Sequence, residues 1–194
     1  MTGTGGTISL LSHNPDCMAM DASSDITKSD FSLWQRAAAM AASAHEGQNP
    51  PGTDMPYFAH VARVAMLVSS EFGCHDPEVL AAAYLHDVFE KTSLTREAVA
   101  LTMGPDVTAW VEWLSKTSKD EKAAYWERLA QAPWQARLIK MADALDHLDG
   151  PVEYREARLK AANRALALAT SGEPEIERAR TLLEAAIDHG RRST

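Results

Sequence analysis

The segment from Pro77 to Phe89 constrains the fold of this chain more than any other. Asp76-Pro77 is a strong helix start: a carboxylate N-cap, then a residue whose missing N–H is not needed in the first turn. Val79, Leu80, Ala81, Ala82, Ala83, Tyr84 and Leu85 follow, apolar on almost every side. A helix of that kind has no face to offer water, so it belongs at the centre of a domain with other helices around it. The sequence predicts one continuous helix over 77–89. His86-Asp87 near its end is out of place there, because a carboxylate in such surroundings is unfavourable unless it is paired or bound to a cation.

The remaining chain supplies the surround. A helix is expected over 31–46, capped by Ser29 or Asp30 and ended by Gly47. Residues 48–56 hold three prolines and a glycine and read as a loop. The next helix starts at Tyr57 or Phe58 and runs to Phe72, with Val61, Val64, Ala65 and Val68 on one face and Gly73 as its stop. Helices over 95–103 and 105–115 are split by Gly104-Pro105, and another spans 119–131. Pro133 opens a helix that ends near Gly150-Pro151. Two charged, amphipathic outer helices follow over 152–170 and 174–189. No run alternates apolar and polar residues in the manner of a strand. The expected class is all-α, a helical bundle over 31–190. Residues 1–30 are rich in Gly, Ser, Thr, Asp and Met, have no period, and read as a flexible N-terminal leader.

Charge and cysteine content remove several functional classes. The formal net charge is −8, which disfavours nucleic acid as a partner, since that partner rewards an excess of Lys and Arg. A small anionic substrate stays compatible, because a bound cation and a few local basic groups reverse the potential inside one pocket. No stretch approaches the roughly 18 apolar residues of a membrane span. The first residues lack an early Lys or Arg, and Asn14, Pro15 and Asp16 interrupt their apolar residues, so no secretory signal is expected and a cytoplasmic location is. Cys17 and Cys74 match no zinc spacing and read as two reduced thiols. Oligomeric state has no signature in the sequence.

Four ionisable residues fall in apolar helical settings: His60, His86, Asp87 and Asp143. Each has an ordinary reading when taken singly. His60 at a helix start is a capping or core residue, and Asp143 a buried carboxylate partnered by Lys140. Together, two imidazoles and two carboxylates make a mixed N/O set suited to a first-row divalent metal. Open positions on such an ion would take water and a phosphate oxygen.

The order His60, His86-Asp87, Asp143 resembles the HD superfamily of metal-dependent phosphohydrolases. The local sequence is closer still to one branch. His45-Glu46-Gly47-Gln48, Pro56-Tyr57-Phe58-Ala59-His60, Ala82 to Glu90 and Lys140-Met141-Ala142-Asp143 resemble the hydrolase domain of RelA/SpoT proteins, and in particular small alarmone hydrolases of the metazoan SpoT-homologue type. The resemblance covers about 31–190. It implies an HD-domain helical bundle and a Mn²⁺-dependent enzyme, or one using another divalent transition metal. That enzyme would remove pyrophosphate from the 3′ position of guanosine 3′,5′-bis(diphosphate) (ppGpp) with a metal-activated water. By position it assigns Glu90 to orienting or deprotonating that water.

Three departures from the family pattern bear on the substrate. Lys91 stands where the family continues its Glu with Asp, and either contacts a substrate phosphate or sits exposed at a helix end, favourable against the helix dipole. Asn49 to Met55 replaces a loop that carries an Arg-Lys pair, whose fork would hold phosphate or stack on a base. Ala144 and His147 replace an Arg and an Asn; His147 is a hydrogen-bond donor to ribose or phosphate, or an ordinary surface histidine. Lys140 points at phosphate or pairs with Asp143, and Tyr57 packs against a base or into the core. Three readings of function remain: a ppGpp 3′-pyrophosphohydrolase, an HD phosphohydrolase acting on another nucleotide or phosphoester, and a catalytically weak nucleotide-binding module.

Overall fold

The structure is a computed structural model and describes residues 32–50, 53–116, 122–149 and 152–192. The expected leader over 1–30 and Cys17 lie outside the described residues, as do the cap candidates Ser29 and Asp30. Cys74 is a buried free thiol. Ten α-helices and no strand occur among the described residues: α1 Leu33–Ala44, α2 Phe58–Met66, α3 Pro77–Leu85, α4 Val88–Lys91, α5 Arg96–Met103, α6 Pro105–Leu114, α7 Lys122–Ala130, α8 Trp134–Leu148, α9 Arg155–Leu166 and α10 Pro174–Arg192.

α3 is the centre, as its composition requires. Val79, Ala81, Ala82, Ala83 and Leu85 have no exposed surface, and the helix is packed by α1, α2, α6 and α8. Small side chains let the neighbours come close: α1 turns Ala37 and Ala41, both fully buried, toward the core. α8 is a second spine, touching α2, α3, α6, α9 and α10 and burying Leu138, Ile139, Met141 and Ala142. α10 is amphipathic and turns Ile176, Ala179, Leu183 and Ile187 inward at helical spacing. No helix among the described residues is long and apolar enough to cross a membrane.

The expected helix over 77–89 is broken where chemistry resides. α3 stops at Leu85, His86 and Asp87 form a turn, and α4 restarts at Val88. Asp87 leaves ideal helical geometry at φ −107° and ψ −3°. Adjacent side chains on an unbroken helix diverge by about 100°. The break lets this adjacent pair aim at one point. Two other boundaries shift. The helix from Phe58 becomes a π-helical turn over Leu67–Glu71 before Gly73 (φ +73°) ends it. α1 starts at Leu33 with Ser32 as N-cap, whose N–H donates to Gln35 Oε1 at 2.9 Å. Trp34 on α1 is 38% exposed.

Candidate functional site

Three elements meet at one end of α3. α2 brings His60, the turn after α3 brings His86 and Asp87, and α8 brings Asp143. His60 Nε2 lies 3.4 Å from Asp143 Oδ1 and 3.7 Å from Asp87 Oδ2. His86 Nε2 lies 3.8 Å and 3.6 Å from the same two oxygens. Atoms sharing a first-row ion at about 2.0–2.2 Å are separated from each other by about 3.0–3.5 Å. The observed spacings lie at or slightly above that range.

Hydrogen bonding fixes which atoms face inward. His86 Nδ1 is 2.8 Å from the Ala83 carbonyl, which can only accept, so the proton is on Nδ1 and Nε2 carries a lone pair. His60 Nδ1 is likewise 2.8 Å from Asp146 Oδ2. His60 Nε2, His86 Nε2 and Asp143 Oδ1 are buried without a hydrogen-bond partner. Three buried polar atoms without a hydrogen bond, aimed at one point with Asp87 Oδ2 beside them, fit a bound cation. Histidine and carboxylate donors suit a first-row divalent ion.

The electrostatics agree. Burial opposes the charge of Asp143, but Lys140 Nζ at 2.6 Å from Oδ2, with His147 and His60, holds the carboxyl well below the usual range. Burial likewise opposes Asp87, which His86 and Lys91 nevertheless keep below its ordinary value. Burial favours neutral His60, yet the neighbouring Asp143 and Asp146 carboxylates push it up to about 9. The cluster is organised around positive charge at its centre.

The other expected residues take definite places. Tyr57 donates its hydroxyl to Asp87 Oδ2. Its ring stacks on His45 at 4.8 Å, with the Lys91 ammonium 5.6 Å from its centroid. Lys91 Nζ lies 4.0 Å from Asp87 Oδ2 at the mouth of the cleft. Lys140 is in the ion pair with Asp143. His147 is exposed on one side, but its Nδ1 is 2.8 Å from the Asp143 carbonyl and 3.0 Å from Asp143 Oδ1. Glu90 is held by α6's end: Oε1 accepts from the Lys116 backbone N–H at 2.6 Å, and Oε2 is 3.4 Å from Lys116 Nζ.

Above the cluster runs a cleft with two lobes that share Tyr57, Lys91, His147 and Arg158. One lobe has Asp87 and Asp143 at its floor, with Lys91, Lys116, Lys140 and Arg158 in its lining. The other, about 640 Å³, passes over His60, Arg63 and Asp146 to Met55 and Tyr154. Four cations therefore gather around one lobe of a protein with net charge −8, three of them, Lys91, Lys116 and Lys140, beside carboxylates. Asp146, Lys116 and Arg158 were not among the expected site residues. Asp146 had a readable signal, since Lys140, Asp143 and Asp146 share a face of α8 at i, i+3 spacing. Lys116 and Arg158 reach the cleft only through tertiary packing.

Comparison with known proteins is consistent with this architecture. A family model described as HD domain matches residues 37–180. The chain is 37% identical over 125 residues to guanosine-3′,5′-bis(diphosphate) 3′-pyrophosphohydrolase MESH1 of Xenopus tropicalis, covering 62% of this chain and 70% of that protein. It is 38% identical over 99 residues to the Drosophila melanogaster protein of that name, covering 49% of this chain and 55% of that one. A solved structure of a metazoan orthologue of SpoT that hydrolyses ppGpp matches with a TM-score of 0.68 at 28% identity, over 84% of this chain and 96% of that chain. The chain thus spans between 55% and 70% of the length of these two curated animal relatives.

Proposed function

The chain belongs to the HD-domain family of metal-dependent phosphohydrolases, and from that membership we propose that it hydrolyses guanosine 3′,5′-bis(diphosphate) at the 3′ position. Water adds to the phosphorus attached to the ribose 3′ oxygen, the bond to that oxygen breaks, and pyrophosphate and GDP are released. His60, His86, Asp87 and Asp143 would hold the divalent ion, with manganese the expected metal. When bound, such an ion supplies Lewis-acid polarisation of phosphate and a water nucleophile at neutral pH. The observation that carries the proposal is the convergence of His60 Nε2, His86 Nε2 and Asp143 Oδ1, all buried without a hydrogen bond, beneath a cleft lined by four cations.

The other residues have assignable work in this reading. Lys140 neutralises Asp143 Oδ2 and leaves Oδ1 facing the ion. Tyr57, already stacked on His45 and bonded to Asp87, acts through Asp87 rather than by stacking on a base. His147 donates toward the ribose or phosphate from the shared part of the cleft. Glu90 is the general base. Lys91 contacts phosphate at the cleft mouth. Removing its charge-assisted bond, which contributes about 1.5–3 kcal/mol, is expected to raise KM for ppGpp by about tenfold or more in Lys91→Ala, with kcat little changed. Steady-state kinetics would measure this, and unchanged KM would remove Lys91 from the substrate site.

A second reading, another nucleotide or phosphoester as substrate, is favoured by one feature. Pro50, Thr53 and Met55 line the wider lobe and offer no cation there. A substrate panel separates the readings. Protein purified without chelators and loaded with Mn²⁺ is incubated with ppGpp and ordinary nucleotides, and products are identified. Pyrophosphate from ppGpp alone is the expected result. Release of phosphate or pyrophosphate from the other compounds instead supports the second reading, and binding without turnover supports a catalytically weak nucleotide-binding module.

A further inference from the structure

The metal-ligand reading accounts for His60 Nε2 but leaves a buried group on the opposite side of that ring unexplained. The Asp146 side chain is only 6% exposed. It lies on α8 one turn beyond Asp143, and its Oδ2 sits 2.8 Å from His60 Nδ1. The carboxylate is itself clamped by Arg63, one turn beyond His60 on α2. Arg63 Nε donates to Oδ1 at 2.6 Å and Nη2 to Oδ2 at 3.0 Å. The fork leaves Asp146 little freedom to rotate, because two parallel bonds fix both position and plane. His86 has only a backbone carbonyl at the equivalent nitrogen. The two imidazoles of the cluster are therefore held differently, one by a neutral acceptor and one by a charged, braced carboxylate.

We propose that Asp146 is a positioning residue that sets the affinity of the metal centre by fixing the ring orientation and tautomer of His60, with Arg63 bracing it. The physical basis is general. A carboxylate on the far nitrogen of a ligating histidine keeps the proton there, presents the other lone pair to the metal and increases its donor strength. Asp146 adds no net charge to the centre, since Arg63 balances it. Its effect is one of orientation and polarisation. The α2–α8 packing that brings His60 and Asp143 together is what brings Arg63 and Asp146 into register.

The inference rests on the metal reading, and its test separates the two. Mn²⁺ affinity is measured by electron paramagnetic resonance titration, and the His60 tautomer by ¹⁵N NMR of the metal-free full chain well above pH 9, where the ring is neutral and one nitrogen alone carries the proton. Asp146→Ala is expected to weaken Mn²⁺ binding by about 10–100-fold and to remove the preference for a proton on Nδ1. Asp146→Asn keeps an acceptor without the charge and is expected to lose less affinity. Arg63→Ala is expected to fall between the wild type and Asp146→Ala. Wild-type affinity in Asp146→Ala, or in Asp146→Asn where the alanine variant fails to fold, overturns the inference. A lower melting temperature with unchanged affinity overturns it as well. Failure of the wild-type chain to bind Mn²⁺ would instead sink the metal reading, and this inference with it.

Discussion

Asp143→Asn is expected to abolish high-affinity manganese binding and to lower turnover of ppGpp by about a thousandfold or more. An ion that stabilises transition-state charge by several kcal/mol is lost, and each 1.36 kcal/mol is a factor of ten in rate. Asparagine preserves the shape of the side chain but removes the charge at the centre of the cluster. It also strands a neighbour. Lys140 Nζ sits 2.6 Å from Asp143 Oδ2 with a side chain 14% exposed, and burial, which opposes its charge, is outweighed by Asp143, so its pKa is raised. Without its partner this ammonium becomes an uncompensated buried charge, a loss of about 3–5 kcal/mol in comparable cases. The melting temperature of Asp143→Asn should therefore fall together with activity. The double variant Asp143→Asn/Lys140→Met separates the two effects. It removes both charges and is expected to recover most of the stability while recovering neither Mn²⁺ binding nor turnover. Calorimetric titration with Mn²⁺ and thermal melts provide the readouts. A single Asp143→Asn variant that binds Mn²⁺ as tightly as wild type would remove Asp143 from the centre.

What was legible in the sequence was local or expensive. The Asp76-Pro77 start, the Gly104-Pro105 break and the central place of α3 follow from capping, proline geometry and the absence of a polar face, all properties of a few adjacent residues. His60, His86, Asp87 and Asp143 were visible because ionisable groups in apolar helices demand compensation. The break after Leu85 was not, because propensity favours continuing an apolar helix and only the shared target of His86 and Asp87 requires a turn. Lys116 and Arg158 escaped for another reason. Each is an unremarkable surface cation in its own segment, and it acquires meaning only when α6 and α9 each pack on α8. The alternative readings of Lys140 illustrate the same limit, since a lysine one turn from an aspartate is equally suited to pairing with it or reaching past it. The structure shows the pair, at 2.6 Å.

Glu90→Gln is the substitution that most sharply divides a chemical role from a structural one. Glu90 was assigned to water activation by its position just after His86-Asp87, but its carboxylate is engaged by Lys116. These are compatible on hydrogen-bond capacity. An ionised carboxylate has about four acceptor positions, and Lys116 N–H and Nζ use two, leaving others for a water proton. The Lys116 contacts would then orient the base, tying α4 to the end of α6. Glutamine can still accept the Lys116 N–H through its carbonyl oxygen, so the tie survives, but it cannot take a proton. If Glu90 is the general base, kcat should fall by about 10²–10⁴ with Mn²⁺ affinity, melting temperature and KM close to wild type. Lys116→Ala should lower kcat less, because the backbone N–H remains to hold Oε1, while KM rises through loss of a cation from the cleft. If Glu90 serves only to tie two helices, Glu90→Gln retains nearly full turnover. In that case proton transfer must be assigned to a group that lines the cleft, for which His147, bonded to Asp143 and shared by both lobes, is the first candidate to substitute.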